Sequence, residues 1–302
     1  MPSEVHGQTL AEAVSVGAVT TTDTPAVRVH AREIDGTREW GHLADDPVVL
    51  ASVAKILIVL EFARQAGAGL LDPTDRVVAR RADRLGGSGT ADFADDVELS
   101  LRDCAHLAMT ISDNTAADLL VDRVGAEPVH LLAAELGLRG TRFAGGPRDL
   151  LRVLLEEGWS GGAGELPAGV AGRATCGTPA DLTRLLQLVW TDGAAQPEAC
   201  AFVRDLMARQ LLRTRIASGF GPGVRVSAKS GTLPGLRWEA GVVEYPDGAR
   251  YAVAVCAVGP DPGRTGVEAD LALGRAAREA VERLRTPSEV GAGAWTGAEL
   301  LR

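Results

Sequence analysis

Ser52 and Lys55 stand three positions apart in the apolar run VVLASVAKILIVLEFARQ (Val48 to Gln65). Leaving a charged ammonium in hydrocarbon is expensive, so a lysine in such a run is paired, neutral or kept for chemistry. Residues three apart share a helical face, which brings hydroxyl and amine together. A serine in the first turn also feels the positive end of the helix dipole, which favours developing negative charge. Burial lowers the lysine pKa toward neutrality, where the amine can act as a base and activate the serine as a nucleophile. Taken alone, the spacing is a weak signal whose ordinary reading is a surface serine and a lysine snorkelling from a helix edge.

Two further tripeptides sharpen the reading. Ser112-Asp113-Asn114 lies 60 residues after Ser52, in a loop between two expected helices. Lys229-Ser230-Gly231 ends an expected strand and is followed by Thr232. Each is common by itself, SDN as a helix N-cap and KSG as a strand-end turn. In this order, each in its expected kind of element, S-x-x-K, SDN and a KTG-like triplet form the signature of class A β-lactamases and penicillin-binding proteins.

The chain therefore resembles a class A β-lactamase or a related penicillin-binding-protein-type serine hydrolase, from about Val27 to Leu284. MTISDNTAADLLVDRVG (Met109 to Gly125) and ATCGTPADLTRLL (Ala174 to Leu186) carry further similarity. The resemblance implies Ser52 as nucleophile, Lys55 as its base, Ser112 as proton relay to the leaving group and Lys229 as its electrostatic partner. It also implies Asn114 on a substrate amide and on Lys55, and Ser230, Gly231 and Thr232 lining the substrate strand, with the two hydroxyls on a substrate carboxylate. The backbone N–H groups of Ser52 and Thr232 would form the oxyanion hole. The implied ligand is a small acyl substrate: a β-lactam, ester or amide. No cofactor is implied. Three readings stay open: a β-lactamase-like acyl hydrolase, an esterase, amidase or acyl transferase using the same pair, and a penicillin-binding protein without turnover.

The sequence departs from the family in places. The stretch TRFAGGPRDLLRVLLEEGWSGGAGELPAGVAGRATCGT lacks the E-x-x-L-N motif whose glutamate activates the deacylating water, and the leucines align Pro147 or Arg148 with it. Asp149, Glu156, Glu157 and Glu165 are spare carboxylates that fit better on a polar helix face or in a loop. At the cleft rim LGGSGT (Leu85 to Thr90) replaces an aromatic residue, and Phe93 either compensates or joins the core. Ala240 falls where a carboxylate-binding arginine is common, leaving Arg215, Arg225 and Arg237 as replacements. Trp238 is open between lining the cleft and packing on the sheet.

These residues need a large, well-packed scaffold. With 302 residues, 46% hydrophobic and 24% charged, the chain fits one large domain or two tightly packed lobes. A net charge of −9 without a basic patch argues against nucleic-acid binding. The N-terminus has no secretory-signal pattern and no apolar run is long enough to span a bilayer, so a cytoplasmic protein is expected. Cys104, Cys176, Cys200 and Cys256 show no metal spacing and are expected as free thiols. The five histidines (His6, His30, His42, His106 and His130) lack ligand spacing and are read as structural. Nothing in the sequence selects an oligomeric state.

Strands are expected at Val27 to Ile34, Arg38 to Leu43, Arg225 to Thr232, Trp238 to Tyr245 and Arg250 to Val258, with a Pro246-Asp247-Gly248 hairpin turn. Helices are expected at Thr9 to Val16, across the Ser52 segment, and at Leu99 to Met109, Thr115 to Val124, Pro128 to Leu136, Pro147 to Glu157, Pro179 to Trp190, Pro197 to Leu212 and Ala269 to Leu284. Early strands can join the late meander in one antiparallel sheet. The expected fold is α+β: a single β-lactamase/transpeptidase-like catalytic domain with an α/β lobe (1–50 and 213–290), a helical lobe (51–212) and a tail (286–302).

Overall fold

Along the first strand, β1 (Ala26–Glu33), side chains alternate between two buried environments, so the sheet must be covered on both faces. Val29 and Ala31 face one way, while His30 faces the other and shares a hydrogen bond of 2.6 Å with the Thr183 hydroxyl. These positions belong to a computed structural model, which describes residues 26–159, 166–259 and 266–286. The helix expected at Thr9 to Val16 and nearly all of the tail lie outside the described residues.

The chain continues through β2 (Glu39–His42), the short β3 (Val48–Val49) and a 3-10 turn (Ala51–Ala54) into α1 (Lys55–Gly67). Next come β4 (Arg76–Ala79), β5 (Val97–Ser100), α2 (Leu101–Thr110), α3 (Asn114–Val124) and α4 (Ala126–Glu135). Then follow α5 (Pro147–Glu156), α6 (Val170–Arg173), β6 (Cys176–Gly177), α7 (Pro179–Trp190) and α8 (Pro197–Ala208). The meander β7 (Arg225–Leu233), β8 (Leu236–Glu244) and β9 (Arg250–Val258) precedes the closing helix α9 (Gly266–Arg285).

The main sheet is antiparallel in the order β2-β1-β9-β8-β7, so the first strands do join the last ones. One face buries Val29, Ala31, Val253 and Val255 against Leu273, Ala277, Ala280 and Val281 of α9, the i, i+4, i+7, i+8 stripe of an amphipathic helix. The opposite face packs Trp238, Ala240, Val242, Ala252 and Ala254 into the core shared with α1 and α7. Covered on both sides, β8 and β9 read as nearly continuous apolar runs. This is the α+β architecture expected.

α1 is apolar all round because it is surrounded: every residue from Lys55 to Ala63 is buried, among α2, α3, α4 and α8. It ends where expected, at Gly67 and Gly69; Gly69 takes φ +73°, and its N–H donates to the Ala66 carbonyl.

The structure differs from the sequence reading at several elements: besides the short β3–β6 ladder and α6, which forms in a stretch read as a Gly/Ala loop, three matter most. The β4–β5 ladder was not expected: each strand has four residues and is half exposed, leaving no alternation long enough to detect. α8 stops at Ala208, short of Leu212, which frees Gln210 to turn toward the sheet. Ser52 lies in the 3-10 turn rather than in the α-helix. In that geometry residues i and i+3 eclipse, so Ser52 and Lys55 still share a face.

Candidate active site

Ala51, just before Ser52, has φ +48°, a left-handed conformation that costs a non-glycine residue on the order of 1–3 kcal/mol. The strained turn sits against β7 at its tightest approach. A Cβ added to Gly231 would lie 3.0 Å from the Leu50 carbonyl oxygen and 3.1 Å from the Ser52 nitrogen, so any larger residue would push strand and turn apart by a few tenths of an ångström. Thr232 follows Gly231, and it lines the same cavity as Ser52.

Lys55 Nζ is completely enclosed. It donates to the Ser112 carbonyl oxygen (2.6 Å) and to Asn114 Oδ1 (2.7 Å), and lies 3.3 Å from Ser112 Oγ. Burial lowers its pKa to about 7, against the opposing fields of Asp113 and Asp118. Ser112 is held at φ +63°. Asp113 caps α3 by accepting from Ala116 N and is fastened by the Thr90 N–H (2.7 Å) and hydroxyl (3.0 Å). Thr90 closes the LGGSGT stretch, whose Gly86 carbonyl also accepts from Asn114 Nδ2 at 3.4 Å. That glycine-rich segment therefore holds the SDN loop in place.

Lys229, from the middle strand face, donates to Ser112 Oγ (3.0 Å) and to its neighbour's carbonyl at Ser230 (2.8 Å). Burial, with the nearby Lys55 charge, pushes its pKa well below the usual lysine range. Residues from three distant motifs thus meet: Ser52, Lys55, Asn114 and Thr232 line one cavity. Ser112 and Lys229 adjoin it through Lys55, and Gly231 abuts the Ser52 turn, with Ser230 between Lys229 and Gly231 on the same strand.

Behind them stands a polar layer of which the sequence reading named only Arg215, as one possible replacement for the carboxylate-binding arginine. Gln210 Oε1 accepts from the Ser230 N–H (2.5 Å), while its Nε2 donates to buried Glu239 Oε1 (2.9 Å). Glu239 Oε2 accepts from Ile216 N (2.6 Å). Arg215 is pinned by Asp270 (2.8 Å) and donates to Thr232 Oγ1 (2.7 Å) and the Gly231 carbonyl (2.9 Å).

The profile of the Beta-lactamase enzyme family matches residues 11–284. The chain belongs to this family. Among similar proteins, the "Beta-lactamase regulatory protein BlaB" of Streptomyces cacaoi is 29% identical over 284 residues, 84% of this chain and 91% of that one. The structure of a β-lactamase from Sphaerobacter thermophilus DSM 20745 superposes with TM-score 0.72 at 29% identity, covering 85% of this chain and 92% of that one. For fold alone, the chromosome-encoded β-lactamase of Vibrio parahaemolyticus gives TM-score 0.73 at 17% identity, covering 86% and 94%. Family and fold together support a serine hydrolase of the β-lactamase type.

Within this β-lactamase fold, a cavity of about 150 Å³ opens beside Ser52. Lys55, Asn114, Thr175 and Thr232 supply its polar wall; Ile58, Leu150, Leu151, Leu154 and Trp159 supply much of the apolar one. Pro147, one of the two positions aligned with the family glutamate, lines the cavity, whereas Arg148 turns outward to Asp122. Asp149 pairs with Arg152, and Glu156 and Glu157 with Arg173, as expected of a polar helix face. Glu165 lies outside the described residues.

The rim differs from expectation at Phe93 and resolves the alternative left open for Trp238. Phe93 is 46% exposed, neither in the core nor among the cavity residues. Trp238 is fully buried, donating from Nε1 to the Val49 carbonyl, so it belongs to the sheet core. Ala240 lies opposite Lys229 in the β7–β8 register; Arg215 donates to Thr232, Arg237 stands opposite Thr232 and pairs with Asp270, and Arg225 pairs with Glu244 on the exposed side.

Proposed function

We propose that the chain is an S-x-x-K serine acylase of the β-lactamase type, which forms a covalent acyl-enzyme on Ser52 with a β-lactam or related amide or ester and releases it slowly. Neutral Lys55 takes the Ser52 proton as Oγ attacks the carbonyl carbon. The oxyanion is met by the N–H groups of Ser52 and Thr232, where one lost donor typically costs about 3 kcal/mol. As the intermediate collapses, Ser112 hands its proton to the leaving nitrogen or oxygen and is reprotonated from the lysines on either side, at 3.0 and 3.3 Å. Ser230 and Thr232, the latter backed by Arg215, receive a substrate carboxylate.

The observation that carries the slow second step is the cavity wall. Deacylation needs a water on the ester and a base for its proton, an assistance worth roughly 10²- to 10⁴-fold. Among the described residues, the α5 side of the cavity offers proline and leucine instead of a carboxylate. The same wall supports a second reading, a β-lactam-binding regulatory protein that is acylated without useful turnover, and the similarity to the Streptomyces cacaoi protein named as regulatory favours it. The test is a chromogenic cephalosporin mixed with the protein and followed by absorbance and intact mass within seconds. A stoichiometric burst with an adduct on Ser52, absent in Ser52→Ala, is expected. Rapid hydrolysis without an adduct would refute slow release, and no acylation by any β-lactam or activated ester would refute the Ser52 assignment.

A further inference from the structure

We infer that the cavity beside Ser52 is an acyl-chain pocket, built for unbranched acyl groups of about six carbons presented as esters. The inference rests on the Ser52 acylation proposed above and adds the class of acyl group.

Orientation follows from which residues face the cavity. Ser52 and Thr232, whose N–H groups meet the oxyanion, open onto it, whereas Ser112 and Lys229 do not. With the carbonyl oxygen between the two N–H groups, the leaving group points to Ser112 and the acyl substituent points to α5. The side that receives the acyl substituent is Leu150, Leu151, Leu154, Trp159 and Ile58. Size follows from volume: an engineered cavity of about 150 Å³ lined by leucine, isoleucine and phenylalanine stays dry and admits benzene, which is six carbons. The cavity here has about that volume, but it is open and includes the polar mouth at Ser52, so the six carbons count the reacting carbonyl together with the chain on the leucine side.

The step balances without a co-reactant. The Ser52 Oγ–acyl bond forms and the ester C–O bond breaks. The serine proton passes to Lys55, the departing alkoxide takes the Ser112 proton, and Lys55 returns a proton to Ser112 across 3.3 Å. A chain lying along α5 then excludes water from that flank of the new ester. Acyl-enzymes should therefore persist longer as the chain fills the pocket, which favours transfer to an external acceptor over hydrolysis.

The experiment compares p-nitrophenyl acetate, butanoate, hexanoate and decanoate, reading the burst rate and the lifetime of the adduct by intact mass. Acylation is expected to rise about threefold to fourfold per methylene up to hexanoate, the value of burying a CH₂, and to fall by decanoate. Leu150→Trp narrows the pocket and should flatten the hexanoate-to-acetate ratio. A flat ratio in the wild type, or an unchanged ratio in folded Leu150→Trp, overturns the pocket while leaving Ser52 acylation standing; no acylation by any ester or β-lactam removes both. If Leu150→Trp does not fold, calorimetric titration of Ser52→Ala, which cannot be acylated, decides: hexanoate binding more tightly than acetate supports the pocket, and equal binding overturns it.

Discussion

The acylation rate should follow the ionisation of Lys55. An ordinary lysine amine titrates at 10.5, and burial brings this one to about 7. By ionisation arithmetic, about half of the amine is then free base at pH 7, where an ordinary lysine would offer about one part in 3,000. The shift corresponds to about 5 kcal/mol of difference between the two protonation states. In the proposed mechanism the free base is the active form, so below pH 7 acylation should fall about tenfold per unit, and above it the rate should level off. Stopped-flow burst rates with a chromogenic cephalosporin, from about pH 5 to about pH 9, resolve both limbs. Lys55→Arg keeps a hydrogen-bonding cation that does not deprotonate, and should lose the limb together with about 10²- to 10⁴-fold in rate. A wild-type rate that is level across that range refutes the argument. Near-normal acylation by Lys55→Arg would do the same, and would route the Ser52 proton through Ser112 and Lys229.

Three further outcomes test other parts of the site. Leu150→Glu places a carboxylate in the apolar wall, where burial raises its pKa toward that of a working base; adduct decay by intact mass should quicken by about 10²- to 10⁴-fold, at some cost in thermal stability. Gly231→Ala forces a methyl group to 3.0 Å from the Leu50 oxygen and 3.1 Å from the Ser52 nitrogen. Displacing the oxyanion donors should cut the burst rate by about 10²- to 10³-fold, with circular dichroism unchanged. Burial raises the pKa of Asp118 from 3.8 to about 7, so the folded state holds its proton more tightly than the unfolded one and loses stability as pH rises through that window. Asp118→Asn should therefore unfold at a higher temperature than wild type at pH 8, a gain of at most about 4 kcal/mol that vanishes below about pH 4.

What could be read from the sequence was whatever carries a local pattern. α1 announced itself as an apolar run with one lysine, and β9 as a nearly continuous apolar run following Pro246-Asp247-Gly248. The three motifs were legible because their residue types and order are unusual together. The layer behind them was not, because its members are lone polar residues far apart in the chain: Gln210 meets Glu239 across 29 positions and Arg215 meets Asp270 across 55. A faint signal existed, since Glu239 interrupts an otherwise apolar stretch of β8, as Asp118 interrupts the apolar face of α3. The cavity wall was hidden for another reason. Leu150 and Leu154 read correctly as the apolar face of α5, but periodicity says only that a face is buried, not that it borders a nucleophile.

The two buried lysines explain why this site needs so much surrounding polarity. Both reach Ser112 Oγ, at 3.3 and 3.0 Å, and two ammonium groups converging on one hydroxyl in a water-poor cleft would repel strongly. Burial pushes both toward the neutral amine, Lys229 helped by the Lys55 charge, while Asp113, Asp118 and Glu239 draw the other way. The directions argue for a pair that carries fewer than two protons at neutral pH. That is what a proton relay requires: one amine free to receive the Ser52 proton, and a hydroxyl between the two through which it can move on. A substrate carboxylate arriving at Ser230 and Thr232 would add negative charge beside Lys229 and raise its affinity for a proton. Binding would thus keep Lys229 charged at the moment a leaving group needs a proton from Ser112, while Lys55, held by Asn114 and the Ser112 carbonyl, receives the Ser52 proton and can return one to Ser112.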